Sequence, residues 1–330
     1  MDEQIRLDHG EGGAATARLV REVFWRHLGG PPFAEDAAAV EGAKELLLTT
    51  DAFVVRPLFF PGGDLGRLSV CGTINDLAVA GAVPLALAAA FVLEEGLEVA
   101  VLEHLVASMA AAAGEAGVRI AAGDTKVVGR GEADGVFVTT TGIGRRIAGV
   151  RLAPDSCRPG DAILVSGPVG DHGIAVLLAR EDLGLRSPVA SDCAPVGALA
   201  RAVLAAAPGT RCMRDPTRGG LATAIVELAA AAGAGAVLHE EAVPVRDAVL
   251  AVGDLLGLDP LYVACEGRLI AIVPPVEAAA ALAALRRDPA GREAAQIGEI
   301  VAGGGVILAT AAGGHRPLHA LEGAQLPRIC

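Results

Sequence analysis

The segment TTDAFVVRPLFFPGGDLGRLSVCGTINDLAVAGAVP, residues 49–84, holds the order of elements on which the fold depends. It begins within an apolar run, ELLLTTDAFVV, that has the length of a β-strand and is interrupted by Asp51. A short helix is predicted from about Asn75, and Gly81 and Pro84 end it before the next apolar run. The segment therefore predicts a strand, a helix and a second, buried strand in succession, which is typical of an α/β domain.

The rest of the sequence repeats this alternation and divides at a loop-forming segment, IAGVRLAPDSCRPGD. Before the break, EVAVLEHLVASMAAAAGEAG has the apolar spacing of a long amphipathic helix, and VRIAAGDT and VFVTTTGI have the composition of strands. After it, AILVSG, RLIAIVP, QIGEIV and GGVILAT predict strands, and helices are expected after PVGDHG, within MRDPTRGGLATAIVELAAAAG and over residues 276–286. We therefore expect two α/β domains, residues 1–154 and 155–319, followed by a tail of residues 320–330.

The charge of the chain restricts the surfaces that it can bind. Lysine and arginine total 27 against 39 aspartate and glutamate residues, so the formal net charge is −12. Such a chain lacks the basic surface that nucleic acid or an anionic membrane requires. The longest uncharged run, Leu77–Leu93, contains Gly81 and Pro84 and is short for a transmembrane helix, and MDEQIRLDHG lacks the apolar core of a secretory signal. We expect a cytoplasmic protein that binds neither nucleic acid nor membrane.

The six cysteines show no metal-binding spacing, but one of them has an unusual position. No two are spaced as C-x-x-C, which argues against a zinc ribbon or a thioredoxin-like site. The sequence ends with LPRIC, and Cys330 is its last residue. Because chain ends are mostly exposed and mobile, we expect Cys330 to be either incidental or a reactive thiol on a mobile tail.

Three aspartates lie within or at an end of predicted elements, and Asp36 is a candidate fourth member of the set. Asp51 interrupts a strand, Asp76 is predicted to open a helix, Asp124 is predicted to end a strand, and Asp36 lies in AEDAAAV. Each of them alone could be a helix cap or a turn residue. Together they have the character of oxygen ligands for a hard cation such as Mg²⁺, which proteins bind through a few carboxylates and substrate phosphates.

The sequence lacks the usual phosphate-binding loops. It contains neither G-x-x-x-x-G-K-[ST] nor a G-x-G-x-x-G that follows a strand, so a nucleotide would need another architecture. Candidate anion-binding groups are Lys126 in GDTKVVGRG, which could equally be a solvated surface residue, and the loop DPTRGG, where Arg218 and Gly219 precede a predicted helix. Glu266, between an apolar segment and a strand, is either a turn residue or a partly desolvated general base.

The order of these motifs resembles the HypE family of carbamoyl dehydratases, within the aminoimidazole ribonucleotide synthetase-like (PurM-like) ATP-binding superfamily. The matching strings span nearly the whole sequence and include LDHGEGG, the segment of residues 49–84, FVLEEGL, AAGDTKVVGRG, LVSGPVGDHG, MRDPTRGG, EGRLIAIV, IGEIV and PRIC. PRIC distinguishes this family from selenophosphate synthetase and thiamine-monophosphate kinase, which share the other elements. The resemblance implies a two-domain PurM-like fold in which the N-terminal sheets of a homodimer join into a barrel, a C-terminal α/β domain, and a flexible tail.

The resemblance also implies a reaction and its partners. The carbamoyltransferase HypF would carbamoylate Cys330, ATP would drive dehydration of the S-carboxamide to an S-thiocyanate, and the cyano group would pass to the iron of a [NiFe]-hydrogenase cofactor on the HypC–HypD complex. The implied catalytic residues are Cys330, Lys126 and Glu266, and the implied Mg²⁺ ligands are Asp51, Asp76 and Asp124. The implied ATP-binding set is Asp36, Asp51, Asn75, Asp76, Asp124, Thr125, Arg218 and Gly219.

Two other functions remain open from the sequence. A selenophosphate synthetase-like or kinase-like enzyme would act on a free small molecule and would not need Cys330. A non-enzymatic maturation scaffold would bind partners through the Cys330 thiol and use its aspartates only as caps. Magnesium-dependent ATP hydrolysis would separate the scaffold from the enzymes, and loss of that hydrolysis on removal of Cys330 would identify the carrier enzyme.

Overall fold

The computed structural model describes residues 14, 17–18, 38–39, 46–180, 183–323, 326 and 328–330. The N-terminal string LDHGEGG and Asp36 lie outside these residues. The described residues form two mixed α/β domains, each built on one large β-sheet. The predicted division at residue 154 lies in the connection between these two sheets.

The N-terminal domain is built on a five-stranded sheet of order β1-β2-β7-β5-β6. Strands β5 and β6 pair in parallel, whereas the other neighbours pair antiparallel. A short ribbon of β3 and β4 follows β2 in the chain. The strands are β1 (Ala38–Ala39), β2 (Leu46–Phe53), β3 (Phe59–Phe60), β4 (Gly63–Asp64), β5 (Ala82–Glu94), β6 (Arg119–Val128) and β7 (Val136–Arg146).

Helix α1 (Leu65–Val79) packs on β2, β5 and β7 and also contacts the C-terminal domain. The prediction that this helix begins near Asn75 is wrong, because it begins at Leu65 after the Asp64 side chain accepts a hydrogen bond from the Arg67 N–H at 3.0 Å. Glycine disfavours helix in isolation, which hides this first half in the sequence. In the fold, Gly66 is needed because a β-carbon there would collide with a backbone carbonyl of the next helix.

Helix α2 (Val99–Ala116) confirms the predicted amphipathic helix. Its buried residues Leu105, Met109 and Ala113 face the apolar core that α1 also contributes to, and Gly117 ends it in the left-handed conformation at φ 68°. Among the described helices, α2 is the one long and apolar enough to cross a membrane by length and composition, and 22% of it is buried within the protein. A helix on the core of a globular domain meets the same criterion.

The C-terminal domain is built on a seven-stranded sheet of order β14-β13-β10-β12-β8-β11-β9. All the strands and helices predicted after the break are present, and the helix predicted for residues 276–286 spans Pro275–Arg287. The strands are β8 (Ala162–Val165), β9 (Cys212–Arg214), β10 (Gly235–His239), β11 (Ile270–Val273), β12 (Ala295–Val301), β13 (Gly305–Ala309) and β14 (His315–Leu318). The helices are α3 (Asp171–Arg180), α4 (Gly197–Ala206), α5 (Gly220–Ala232), α6 (Asp247–Leu256) and α7 (Pro275–Arg287).

Candidate active site

A cleft where β2 and α1 meet the C-terminal domain brings together most of the predicted site residues. The space between its walls is about 360 Å³ when the solvent at its open mouth is included. The predicted residues that line it are Asp51, Asp76, Arg218, Glu266 and Cys330. The lining residues that the sequence did not single out as ligands are Ala52, Phe53, Gly72, Asp215 and Thr217.

Two carboxylates from neighbouring elements form one wall of the cleft. Asp51 lies in β2 and accepts a hydrogen bond from the Thr73 hydroxyl of α1 at 3.2 Å, while Thr49 of β2 donates to Asp76 of α1 at 2.8 Å. Burial raises the pKa of Asp51, although hydrogen bonds with Asp76 and Thr73 act in the opposite direction. A desolvated pair of acidic side chains facing a cleft is a favourable place for a cation.

The position of Asp76 differs from the sequence prediction. Since α1 begins at Leu65, Asp76 lies in the last turn of the helix, and the prediction that it opens a helix is wrong. Its bond with Thr49 directs its carboxylate toward β2 and not toward the free backbone N–H groups of a helix start. The alternative that Asp76 is only an N-cap is thereby excluded.

Glu266 is fixed by its own backbone at the floor of the cleft. Its N–H donates to Asp192 Oδ1 at 3.1 Å, and its carbonyl accepts from the Asn75 amide at 3.2 Å. The following residue, Gly267, has no space for a side chain, because a β-carbon there would collide with the backbone carbonyl of Asp192. Glu266 is 2% exposed, and its Oε1 has no hydrogen-bond partner among the described residues. One acceptor atom of this carboxyl group is therefore available to a bound group.

The surroundings of Glu266 favour its protonated form. Burial raises its pKa well above the usual value, and the negative charges of Asp215 and Asp192 raise it further. Arg218 acts in the opposite direction. A raised pKa makes the ionised carboxylate a stronger base, which suits a group that takes protons from a substrate.

Asn75, predicted to bind the cofactor, has a structural role in the described fold. Its amide donates to the carbonyls of Ala194 and Glu266 at 3.1 and 3.2 Å and accepts from the Val196 N–H at 2.8 Å. These bonds fasten α1 to the C-terminal segment that carries Glu266. Asn75 therefore positions the site by joining the two domains, with its side-chain oxygen and nitrogen both engaged.

The loop DPTRGG places a cation at the start of a helix, as its sequence indicates. Arg218 lines the cleft, and Gly219 caps α5 with φ 80°. A β-carbon at Gly219 would lie 2.5 Å from the Thr223 hydroxyl, so glycine is required there. Asp215 and Thr217 of the same loop also line the cleft. Their position in the polar loop DPTRGG is the feature of the sequence from which they could have been predicted as site residues.

The tail, residues 326 and 328–330, is docked at the cleft. Backbone N–H groups of Val54 and Arg56 donate to the carbonyls of Cys330 and Arg328 at 3.2 and 3.3 Å. Ile329 is 4% exposed and Cys330 is 9% exposed, and both join the apolar cluster of the N-terminal domain. Cys330 is therefore within the site in this structure, while the mobility implied for the tail stays a prediction.

Asp124 and Lys126 lie apart from the cleft, and we call them the edge pair. Both belong to β6, where they form a salt bridge of 2.8 Å with side chains 63% and 70% exposed. The prediction that Asp124 ends a strand is wrong, because β6 continues to Val128. Thr125, between them, donates its N–H to Asp124 at 2.9 Å.

The sheet order explains why the edge pair does not reach the cleft. Strand β6 lies three strand spacings from β2, which is about 14 Å at the usual separation. Within the described part of the chain, no group of three histidine, cysteine or acidic residues is close enough to hold a metal ion. Asp51, Asp76 and Asp124 therefore do not form one magnesium site within a single chain.

Two family models match the chain and together cover most of it. They describe the N-terminal and C-terminal domains of AIR synthase related proteins and match residues 34–146 and 158–310. The carbamoyl dehydratase HypE of Rhodobacter capsulatus is 54% identical over 337 aligned residues, which cover 100% of this chain and 99% of that protein. The chain belongs to the HypE family.

Solved HypE structures share the fold. A HypE chain in a HypE–HypF complex superimposes with a TM-score of 0.88 at 42% identity, covering 92% of this chain and 99% of that one. A HypE in complex with ATP gives a TM-score of 0.84 at 46% identity, covering 99% and 100%. The predicted family and its two-domain PurM-like fold are thereby confirmed, whereas the dimeric barrel stays a prediction.

Proposed function

We propose that this chain is an ATP-dependent carbamoyl dehydratase that converts an S-carboxamide on Cys330 into an S-thiocyanate, the source of cyanide ligands for the [NiFe]-hydrogenase iron. The observation that carries the proposal is the position of Cys330, which lines the same cleft as Glu266, Asp51 and Arg218. A group carried on that thiol would lie beside a carboxyl group whose raised pKa suits proton transfer.

The residues of the cleft fit a magnesium-bound nucleotide. Asp51 and Asp76 lie side by side, and a cation there would offset the cost that burial imposes on the charge of Asp51. Arg218 at the start of α5 supplies a positive group and helix N–H groups for phosphate oxygens. These residues would hold Mg²⁺ and ATP, and ATP would supply the phosphoryl group that makes the amide oxygen a leaving group.

The chain's own groups account for the proton movements. The S-carboxamide and ATP become S-thiocyanate, ADP and phosphate, so the amide oxygen leaves with the phosphate and the nitrogen loses two protons. Glu266 in its ionised form would accept a proton through Oε1, which has no hydrogen-bond partner among the residues that the structure describes. Arg218 would offset negative charge that develops on the oxygen. The buried walls around Cys330 would limit access of water to the carried group.

Lys126, the third implied catalytic residue, requires a second copy of the chain in this proposal. Its edge pair lies on a strand whose residues are mostly exposed, at one side of the N-terminal sheet. In a homodimer whose N-terminal sheets join, the edge pair of one chain could approach the cleft of the other. Asp124 would then complete the magnesium ligands, with Thr125 and Lys126 beside the phosphates.

The proposed partners follow from the carrier role. A HypE relative has been solved in a complex with HypF, and we propose that HypF carbamoylates Cys330 here and that the HypC–HypD complex receives the cyano group, all in the cytoplasm. Cys330 must then leave the cleft to meet both partners. A tail of ten extended residues reaches about 30 Å, which is enough for such a movement.

The two alternative functions account less well for the site. An enzyme acting on a free small molecule gives no reason for the tail to occupy the cleft. A scaffold gives no reason for the half-buried pairing of Asp51 with Asp76, nor for a Glu266 oxygen that lacks a hydrogen-bond partner among the described residues. Only the carrier reading uses all of these features.

The decisive experiment is intact-mass analysis of the chain. The protein is loaded by the carbamoyltransferase system, separated from it, and incubated with Mg²⁺ in the presence or absence of ATP. We expect the loaded protein to lose the mass of one water only when ATP is present, with the change located in the peptide that contains Cys330. Stable carbamoylated protein in both incubations would refute the proposed reaction.

Binding of the nucleotide can be tested separately with three matched variants. Asp51→Asn and Asp76→Asn should weaken ATP binding in Mg²⁺ whatever the oligomeric state, because both side chains face the cleft of their own chain. Asp124→Asn should weaken it only in a dimer. Unchanged ATP affinity in all three folded variants would remove these aspartates from the site.

A further inference from the structure

We propose that His172, held in one tautomer by Ser191, is a positioning residue that holds the tail in the cleft and thereby sets the balance between docked and released Cys330. This inference deepens the proposed function and takes its meaning from the carrier role of Cys330. Its first test, the accessibility of the thiol, does not depend on that role.

The imidazole of His172 contacts the tail backbone directly. His172 lies in the first turn of α3, is fully buried, and places Nε2 at 2.9 Å from the carbonyl oxygen of Ile329. Phe60 packs edge-on against the ring, with centroids 5.4 Å apart and an interplanar angle of 89°. The ring is therefore fixed in orientation with one nitrogen aimed at the tail.

A chain of hydrogen bonds determines which nitrogen of His172 carries the proton. The Cys193 N–H donates to Ser191 Oγ at 3.0 Å, so the Ser191 hydroxyl is free to donate to His172 Nδ1 at 2.8 Å. The proton of the neutral ring then lies on Nε2 and is donated to Ile329. With the proton on Nδ1, two acceptors would face each other across the contact with Ile329, which is unfavourable.

His172 binds the tail from the C-terminal domain, at a carbonyl that accepts no other hydrogen bond among the described residues. The carbonyls of Arg328 and Cys330 accept from the segment that follows β2 in the N-terminal domain, and Arg180 of α3 also donates to the Arg328 carbonyl at 2.7 Å. The Ile329 carbonyl between them accepts from His172 of the C-terminal domain. When the tail leaves, the buried Nε2–H loses its acceptor. His172 therefore favours the docked tail by the cost of leaving that donor unpaired.

This role has opposite consequences for the two stages of the proposed reaction. Carbamoylation by an outside partner needs a released Cys330, whereas dehydration beside Glu266 needs a docked one. Weakening the contact with His172 should therefore slow dehydration without slowing carbamoylation. A residue that merely supports the fold would slow both stages together.

The first experiment measures alkylation of Cys330 by iodoacetamide, followed by mass analysis of the C-terminal peptide. Because Cys330 is buried when docked, its rate of alkylation reports release of the tail. We expect His172→Ala to raise the rate about three- to tenfold, the range for loss of one neutral hydrogen bond. His172→Gln, whose amide can still donate, should restore part of the protection. Ser191→Ala should raise the rate because it permits the other tautomer.

The matched control is Ser166→Ala. Ser166 is also fully buried, and its hydroxyl accepts from the Leu269 N–H at 2.9 Å in the C-terminal domain, so the variant removes a buried hydrogen bond that involves no tail residue. The alkylation rate of this variant should match the parent. An equal increase of the alkylation rate in Ser166→Ala and His172→Ala would overturn the proposal, because the increase would then reflect destabilisation of the C-terminal domain as a whole. So would an unchanged rate in folded His172→Ala.

The second experiment measures the two stages in each variant. Single-turnover dehydration of pre-carbamoylated His172→Ala should be slower than in the parent to the extent that the docked fraction falls, so that the gain in alkylation multiplied by the loss in dehydration equals the factor by which docking is weakened. Its carbamoylation by HypF should be as fast as in the parent or faster. Parallel slowing of both stages would overturn the proposal. If His172→Ala does not fold, Ser191→Ala decides by the same two measurements. If the parent itself is not carbamoylated, the proposed function fails, and the alkylation rates still decide whether His172 holds the tail.

Discussion

The cleft and the edge pair contain residues predicted for one site, yet their surroundings are opposite. In the cleft, burial raises the pKa of Asp51 and Glu266, and an acceptor oxygen of Glu266 has no hydrogen-bond partner in the part of the chain that the structure describes. On β6, the salt bridge with Lys126 lowers the pKa of Asp124, and both side chains are mostly exposed. The acidic groups of the cleft are thus desolvated and suited to catalysis within one chain. In the edge pair, the charges of Asp124 and Lys126 neutralise each other in solvent.

Among the substitutions that test this comparison, Cys330→Ala is expected to have the largest effect on activity. The variant removes the sulfur that would carry the substrate in the cleft, so ATP-dependent formation of S-thiocyanate and cyanide delivery to HypC–HypD should be abolished. ATP binding should persist because Asp51, Asp76 and Arg218 remain. Mass spectrometry of loaded protein and an ATP-binding titration check both statements. Cyanide delivery by the variant would show that the cleft does not act on Cys330.

The next largest effect is expected from Glu266→Gln. Glutamine keeps the size of the side chain but cannot accept a proton as carboxylate does, and loss of a positioned general base typically costs ~10²–10⁴ in rate. Single-turnover dehydration of the carbamoylated variant measures this loss. Its carbamoylation by HypF serves as the control and should match the parent. A normal rate of dehydration in this variant would show that Glu266 is not the general base of the cleft.

Lys126→Ala tests whether the edge pair belongs to the same reaction. Removal of one preorganised charge near a developing oxyanion costs roughly 3 kcal/mol, which is about a hundredfold in rate. We therefore expect dehydration to slow by that order, with carbamoylation unaffected. Normal dehydration would identify Lys126 as a solvated surface residue.

Mixed dimers sharpen the same prediction. If Lys126 acts on the partner's cleft, a dimer of one Lys126→Ala chain and one Glu266→Gln chain contains one site with both residues intact. Mixing the two inactive variants under exchange conditions should then restore dehydration, and mass analysis should find the product on the chain that retains Glu266. Absence of recovery despite confirmed exchange would place Lys126 outside the partner's site.

The smallest expected effect is a change in the pH dependence of thermal stability. Burial raises the folded-state pKa of Glu266 above its unfolded value of about 4.5, so its stabilising contribution is fully present below that pH and is lost as the pH rises through the folded pKa. Glutamine does not titrate. The Tm of Glu266→Gln relative to the parent, measured without nucleotide, should therefore increase with pH above about 5, by about 2 °C per pH unit within the titrating range. A constant difference from pH 5 to 8 would contradict the raised pKa.

The elements that local patterns specify were predictable from the sequence. The amphipathic spacing of α2, the apolar runs of the C-terminal strands and the loop before α5 all correspond to observed elements. The start of α1 was not predictable, because Gly66 and Gly72 weaken the helix signal locally and are required only by contacts with other elements. Residues 49–84 therefore gave the correct order of elements with a wrong helix boundary.

The grouping of site residues depended on contacts that no local pattern contains. Sheet order decides that Asp51 and Asp76 share a cleft while Asp124 does not. Asp192 holds the backbone of Glu266 from 74 positions away, in a segment without any motif. Family resemblance selected Cys330 and Glu266, but the burial that changes the chemistry of Glu266 could be read only from the fold.

The absence of space at Gly267 has a consequence for genetic variation in this chain. A side chain there would push against the carbonyl of Asp192, the residue that also holds the Glu266 N–H, so the base would move although no reacting group had been altered. In a saturation screen scored by hydrogenase activity, position 267 should tolerate as few substitutions as position 266. An observer without the structure would count it among the residues that perform the chemistry.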